Sequence, residues 1–336
     1  MKRQLLLFAL LLLLPATMMA QGATWQSATL IASGSSGSGT LDEGHGDLWF
    51  KIEVPEEGRA AFTMTFNGNL SMNFVELVMK NGDDFPSRVG TGWYPDSGKT
   101  FEATDLGKGT YYLHAQRRGG SGTLTLSYQF TACPYANDAE TNDAGGSGAT
   151  LVSGKTVQGR LGYQDASGYR DDHDWYKIEV TQDGTVELAY ASDQTYELEL
   201  NFIDLCWYDA STGNYTSRAF TGWYVRNGKL TITDVGKGTY YFHMERRYNH
   251  GGYTLTYTFT PNSYANDAEP NDEGGQGTEI AIGQTVQGHL GYLEGDNYRD
   301  THDWYKIQVP QDGRVDLAYA CDQPYELELN YIDVCW

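Results

Sequence analysis

Along most of the chain, apolar and polar residues alternate singly, which is the signature of strands with one buried face. In "WYKIEV" Tyr176, Ile178 and Val180 share one parity, while Lys177 and Glu179 take the other. "KLTITDV" (229–235) and "GYTLTYTFT" (252–260) alternate in the same way. Clusters such as "DASTGN" and "NHGG" separate these runs, supplying the Gly, Asn and Asp that turns require. In "YELELNFIDLCW" (196–207) the parity flips near Asn201: Leu198 and Leu200 lie on one side of the flip, Ile203, Leu205 and Trp207 on the other. One extra residue in a strand does this, so a bulge or a break is expected there. No segment keeps a helical period. Seven or eight short strands per unit of about 125 residues predict an all-β fold of tandem β-sandwich domains.

The pattern is written more than once. "GYRDDHDWYKIEV" (168–180) returns as "NYRDTHDWYKIQV" (297–309), and "YELELNFIDLCW" (196–207) as "YELELNYIDVCW" (325–336), so Asp174 recurs as Asp303 with an offset of 129 residues. A more distant copy lies upstream: "DLWFKIEV" (47–54), "TGWY" (91–94) and "GKGTYYLHAQRR" (107–118) match later segments. Repetition at this length means whole domains in tandem. The expected layout is 1–20 leader, 21–134 divergent first sandwich, 135–262 second sandwich and 263–336 third copy. The third copy stops at Trp336, the equivalent of Trp207, so an incomplete sandwich and a longer gene product are expected.

The first residues change the compartment. Lys2 and Arg3 precede an apolar run from Leu5 to Leu14, and Ala20 offers a small residue before Gln21. This reads as a cleaved secretory signal peptide, since the run is short for a membrane span. No later run could cross a membrane as a helix. An extracellular or cell-surface location follows. Its four cysteines, Cys133, Cys206, Cys321 and Cys335, could pair in three ways. The first copy has Val78 where Cys206 stands, which favours buried thiols over bridges.

Of 336 residues, 44 are Asp or Glu and 23 are Lys or Arg, a net charge of −21. That argues against nucleic acid, whose phosphates need a basic surface, and makes a cation partner plausible. With 25 Tyr, 12 Phe and 8 Trp the chain is too aromatic for an acidic disordered segment.

The acids concentrate in a decapeptide written twice, "NDAETNDAGG" (137–146) and "NDAEPNDEGG" (266–275). Asp267, Glu269 and Asn271 sit at i, i+2 and i+4, which aligns side chains on an extended chain, and Pro270 favours extension. Asp272 follows. About 28 residues on comes Asp-x-x-Asp before the Trp-Tyr strand, giving Asp300 and Asp303. The preceding copy supplies Asp138, Glu140, Asn142, Asp143, Asp171 and Asp174. These sets offer oxygen ligands almost exclusively, which suits Ca²⁺ better than Mg²⁺ or Zn²⁺. His173 and His302 stand beside the aspartates, but one imidazole among carboxylates does not make a zinc site. From spacing alone, a solvated acidic linker remains equally open; five carboxylates brought together would repel, and that favours a cation.

The order "NDAEPND…GQTVQGHL…DTHDWYKIQV", followed in the middle copy by "GTYYFHMERR…GGYTLTYTF", resembles the bacterial pre-peptidase C-terminal (PPC) domain and the related collagen-binding modules of secreted collagenases. The likeness covers the second and third copies well and the first partly. It implies a jelly-roll-like β-sandwich from a bacterial secreted protein, with calcium held between the acidic segment and the Asp-x-x-Asp in the collagen-binding branch. The first copy departs from this, since Leu48 stands where Asp174 does, and its calcium site is expected to be absent.

Catalytic motifs do not appear: there is no Gly-x-Ser-x-Gly, His-Glu-x-x-His or phosphate-binding loop. Glu197 and Glu199 alternate with Leu198 and Leu200, as a solvated strand face would, so no enzyme is expected within these residues. Aromatic residues are the other candidates for ligand contact. Trp93 and Tyr94 recur as Trp223 and Tyr224, and Tyr112 and Tyr241 share strand faces with His114 and His243. They could grip extracellular protein or polysaccharide, or simply be divided between core and scattered surface. Two functions stay in view: accessory binding modules of a secreted enzyme or adhesin, and calcium-stiffened spacers with no ligand.

Overall fold

The structure, a computed structural model, describes residues 22–138, 140–321 and 327–336. The expected leader, residues 1–20, lies outside them. Among the described residues no helix is long and apolar enough to cross a membrane. Contacts divide the chain into two units, one holding residues up to Ala132 with Gln164–Tyr169, the other Cys133–Tyr163 with Arg170–Trp336.

The first unit contains β1 (Thr29–Leu30), β2 (Ser35–Leu41), β3 (Asp47–Val54), β4 (Gly58–Phe66), β5 (Ser71–Val78), β6 (Ser87–Gly90), β7 (Thr100–Leu106), β8 (Gly109–Gly119) and β9 (Gly122–Ala132). They form two sheets, ordered β1-β3-β8-β5-β6 and β2-β9-β4-β7. The inner faces supply one core, from Phe50, Ile52 and Phe62 through Leu113 to Leu126 and Tyr128. Pairing is antiparallel except for β1 on β3.

The second unit repeats the plan with β10 (Ala149–Thr150), β11 (Thr156–Leu161), β12 (His173–Val180), β13 (Gly184–Ser192), β14 (Glu199–Asp209), β15 (Asn214–Phe220), β16 (Asn227–Val235), β17 (Gly238–Tyr248) and β18 (Gly251–Pro261). The sheets are β10-β12-β17-β14-β15 and β11-β18-β13-β16. Nine strands rather than seven or eight make each sandwich, because two-residue β1 and β10 add an edge too short to leave a sequence pattern. Tyr176, Ile178 and Val180 are buried while Lys177 and Glu179 face out, as their alternation predicts. The parity flip near Asn201 is a bulge: the β14–β17 register shifts between Glu199 and Leu200 and again between Leu200 and Phe202. This lets Leu198, Leu200, Ile203 and Leu205 all reach the core. Glu197 departs from the strand reading. It sits before β14 in a turn with φ 56°, and Glu199 is tied to Arg226 and Arg247.

Each sandwich closes over a tyrosine hydroxyl. Tyr111 donates to the carbonyls of Gly107 and Gln164, and Tyr240 to those of Gly236 and Leu293. A parallel bridge flanks each, Leu106 with Gln164 and Val235 with Leu293.

In the third copy β19 (Thr278–Ile280) pairs in parallel with β20 (Tyr305–Ile307). Residues 308–321 and 327–336 carry no strand, and Val315, Leu317 and Tyr319 are exposed. Leu317 corresponds to Leu188, which is covered by β16 and β18; no described residue supplies their third-copy equivalents.

The four cysteines are free thiols. Cys133 and Cys206 are buried as expected, whereas Cys321 is half-buried and Cys335 exposed, since the third copy offers them no core. Burial, with Asp204 beside it, raises the Cys206 thiol pKa. Thiol titration of the folded chain should therefore modify Cys335 at once and Cys206 only after denaturation. Immediate labelling of Cys206 would contradict its burial.

Candidate metal centre

The acidic segments do not run extended. The described residues among 137–143, and residues 266–272, form no strand, and each segment turns back on itself. Asn142 Nδ2 donates to Asp138 Oδ2 at 2.5 Å, and Asn271 Nδ2 to Asp267 Oδ2 at 2.6 Å. The i, i+2, i+4 spacing is thus not what aligns the ligands; the side chain four residues on closes a loop. That loop is docked on the strand mouth by backbone: Trp175 N–H donates to Asn142 O and Trp304 N–H to Asn271 O, both at 2.9 Å.

Docking brings distant acids together. Ligand oxygens of Asp138, Glu140 and Asp174 lie within 4.8 Å of one another, as do those of Asp267, Glu269 and Asp303. Asp171 and Asp300 sit three residues before Asp174 and Asp303, held by equivalent backbone bonds to Gly162 and Tyr163 or Gly291 and Tyr292. Asp143 lies close enough to raise the pKa of Asp171. Asp272 does the same for Asp300 and accepts a hydrogen bond from Tyr298.

In both copies the same four residues keep a buried oxygen without a hydrogen-bond partner. These are Oδ1 of Asp138, Asn142, Asp171 and Asp174, and Oδ1 of Asp267, Asn271, Asp300 and Asp303. The other oxygen is anchored where hydroxyls are at hand. Tyr253 donates to Asp174 Oδ2 at 2.6 Å, and Tyr176 to Asp138 Oδ2 at 2.7 Å. Tyr305 donates to Asp267 Oδ2 in the same way. One oxygen oriented by a donor and the other left bare is how metal-ligating carboxylates are held. Buried polar atoms are nearly always satisfied, so four orphans repeated at equivalent positions call for a partner.

The electrostatics agree. Burial, then Glu140, Asp138 and Asp143, push Asp171 up to about 9. Asp174 is raised well above the usual carboxylate range by burial and by Asp138 and Asp171. Asp300 is pushed to about 8 by burial and Asp303, and Asp303 to about 7 by burial and Asp267. Without a cation these groups cannot all ionise. A hard divalent cation with six to eight oxygen ligands fits this donor set, in which each copy offers five carboxylates and one amide oxygen.

The first copy differs as a block. Trp49 N–H donates to Gly22 O, so Gly22 takes the place of Asn142. Leu48, Phe50 and Leu124 stand where Asp174, Tyr176 and Tyr253 do, and all three are buried. The tyrosines were not among the residues expected at the site, yet their signal was available: Tyr176 and Tyr305 where the first copy has Phe50, and Tyr253 where it has Leu124.

The aromatic candidates divide. Trp93 and Trp223 are 70% and 59% exposed, and Tyr94 and Tyr224 beside them are also exposed. Both tyrosines adopt positive φ, 57° and 67°, which non-glycine residues rarely do. Arg118 stacks on Tyr94 and Arg247 on Tyr224, with the guanidinium 4.3 and 3.5 Å from the ring centres. Phe74 and Phe202 meet the two tryptophans edge-on. Tyr112 and Tyr241, by contrast, are half-buried and packed against Trp25 and Phe85 or against Tyr215, so they belong to the packing of the sheet face rather than to the exposed pairs.

No family model matches the chain, and no curated protein matches it. Among solved structures it is similar to the pre-peptidase C-terminal domain of a collagenase from Bacillus anthracis, with 19% identity, TM-score 0.24, and coverage of 30% of this chain and 94% of that one. It is also similar to a fucolectin from striped bass serum (12% identity, TM-score 0.22, 67% and 86% covered) and to a putative secreted protein from Parabacteroides distasonis (8% identity, TM-score 0.28, 68% and 89% covered).

Proposed function

We propose that the chain is a secreted, non-catalytic array of calcium-binding β-sandwich modules, spanning 21–134, 135–262 and 263–336, that attaches a larger bacterial enzyme or adhesin to extracellular protein or polysaccharide. Calcium is held by Asp138, Glu140, Asn142, Asp143, Asp171 and Asp174 in the second copy and by Asp267, Glu269, Asn271, Asp272, Asp300 and Asp303 in the third. The buried, unpartnered oxygens at equivalent positions support this assignment. Pinning the acidic loop to the strand mouth fixes each module's N-terminal segment.

The observation that carries attachment is the exposed Trp–Tyr pair, kept in two copies whose calcium chemistry differs. A flat ring in solvent beside a stacked Arg offers an apolar face with a polar edge, which suits sugar rings or an extended polypeptide. The spacer reading accounts for the calcium sites but not for these pairs. The test is adsorption of the full chain to insoluble collagen and polysaccharides. Trp93→Ala with Trp223→Ala should weaken retention about tenfold, as the loss of an aromatic anchor does, with melting unchanged. Retention of no polymer by the parent chain would favour the spacer.

A further inference from the structure

A second cluster lies on the outer face of the β12–β17–β14 sheet. His173 on β12 stands directly opposite Glu245 on β17, and His243 is the next residue of β17 on that face. Ligand atoms of His173, His243 and Glu245 lie within 4.8 Å of one another. His173 Nδ1 and His243 Nε2 are 3.2 Å apart. Two nitrogens bound tetrahedrally to one zinc ion at ~2.0–2.1 Å would be separated by ~3.3 Å.

The surroundings prepare His243 for such a role. Its other nitrogen, Nδ1, faces Asp204 Oδ1 at 3.5 Å, and that oxygen is buried with no hydrogen-bond partner. Asp204 itself is 92% buried, since only 8% of its surface is exposed. A carboxylate behind the distal nitrogen of a ligating imidazole fixes its tautomer and raises its basicity. Trp175 stacks on His243 and Phe202 meets it edge-on, which holds the ring in place. Glu245 is oriented by Asn201 Nδ2, which donates to its Oε1 at 2.8 Å.

We propose that His173, His243 and Glu245 bind a divalent transition-metal ion of the zinc class, with Asp204 as the positioning carboxylate, separately from the all-oxygen sites. Two imidazoles and a carboxylate are a borderline-soft set that favours zinc over calcium, and three protein ligands leave a coordination position open. The first copy contains its own control. There Asp47 and Gln116 replace His173 and Glu245, and His114 Nε2 is engaged by Asp47 Oδ1 at 2.8 Å. That is a simple imidazole–carboxylate pair.

The experiment is calorimetric titration of the full chain with Zn²⁺ in saturating Ca²⁺, so that the oxygen sites are filled. One zinc site should be lost in His173→Gln and in Glu245→Gln, and weakened about 10–100-fold in Asp204→Asn. His173 and Glu245 are only half-buried, and unchanged melting of their variants shows that the fold persists. Absence of zinc binding, or binding equally strong in the His173→Gln and Glu245→Gln chains, would reduce the contact to a hydrogen bond between two imidazoles and overturn the proposal.

Discussion

Calcium should raise the melting temperature of the second unit by about 5–10 °C per filled site at a hundredfold excess over Kd, and the gain should be larger at pH 8 than at pH 5. A ligand that binds only the folded state contributes RT ln(1 + [Ca²⁺]/Kd), about 2.7 kcal/mol at that excess. The pH dependence follows from the acids themselves. Burial raises Asp171, Asp300 and Asp303 to about 9, 8 and 7, against 3.8 for an ordinary aspartate. Between those limits the metal-free folded chain holds protons that the unfolded chain has released. The contribution of these three acids to its stability is therefore full below about pH 4 and is lost as pH rises through 7, 8 and 9. Calcium should replace those protons and remove the decline. Asp174→Asn should abolish the share of the second copy while leaving that of the third. Identical melting with calcium and with chelator, or a larger calcium effect at pH 5, would sink the assignment.

Tyr253→Phe should cost about 3 kcal/mol, yet Asp174→Leu, Tyr176→Phe and Tyr253→Phe together should leave the calcium-free chain within about 1 kcal/mol of its parent. The Tyr253 hydroxyl donates to Asp174 Oδ2 and also reaches Asp138 Oδ2. Removing it alone strands a buried carboxylate. Removing the acid and both hydroxyls leaves Leu and two Phe against one another, the chemistry that Leu48, Phe50 and Leu124 already provide in the first copy, while the half-buried Asp138 keeps its Oδ2 bond from Asn142 Nδ2. The triple variant should no longer respond to calcium through the second copy. Chemical denaturation of the single and triple variants gives the coupling directly. If the three costs simply add, the tyrosines and the aspartate are not one network.

Strand positions and faces were legible because period-2 alternation is imposed by the pleat itself, as in Tyr176, Ile178 and Val180. The bulge near Asn201 was legible because a bulge must reverse parity. Edge strands of two residues were not, since Thr29–Leu30 and Ala149–Thr150 are too short to alternate. At the site, the acids could be grouped by repetition and chemistry. Their arrangement could not, because it depends on a side chain folding back, Asn142 onto Asp138, and on backbone docking at Trp175. The juxtaposition of His173 with His243 was hidden for a different reason. The two are 70 residues apart and meet only through β12–β17 register, which no local pattern records.

The tyrosine closures put sequence and structure out of phase. Tyr111 and Tyr240 each reach an acceptor that belongs, by sequence, to the following copy: Gln164 in one case, Leu293 in the other. The repeat written in the chain is 129 residues, but the first compact unit also takes in Gln164–Tyr169, some thirty residues past the repeat boundary. Cutting at a repeat boundary therefore severs a fold rather than releasing one. A recombination that shuffled these modules intact would have to carry the first loop of the next copy along as a lid.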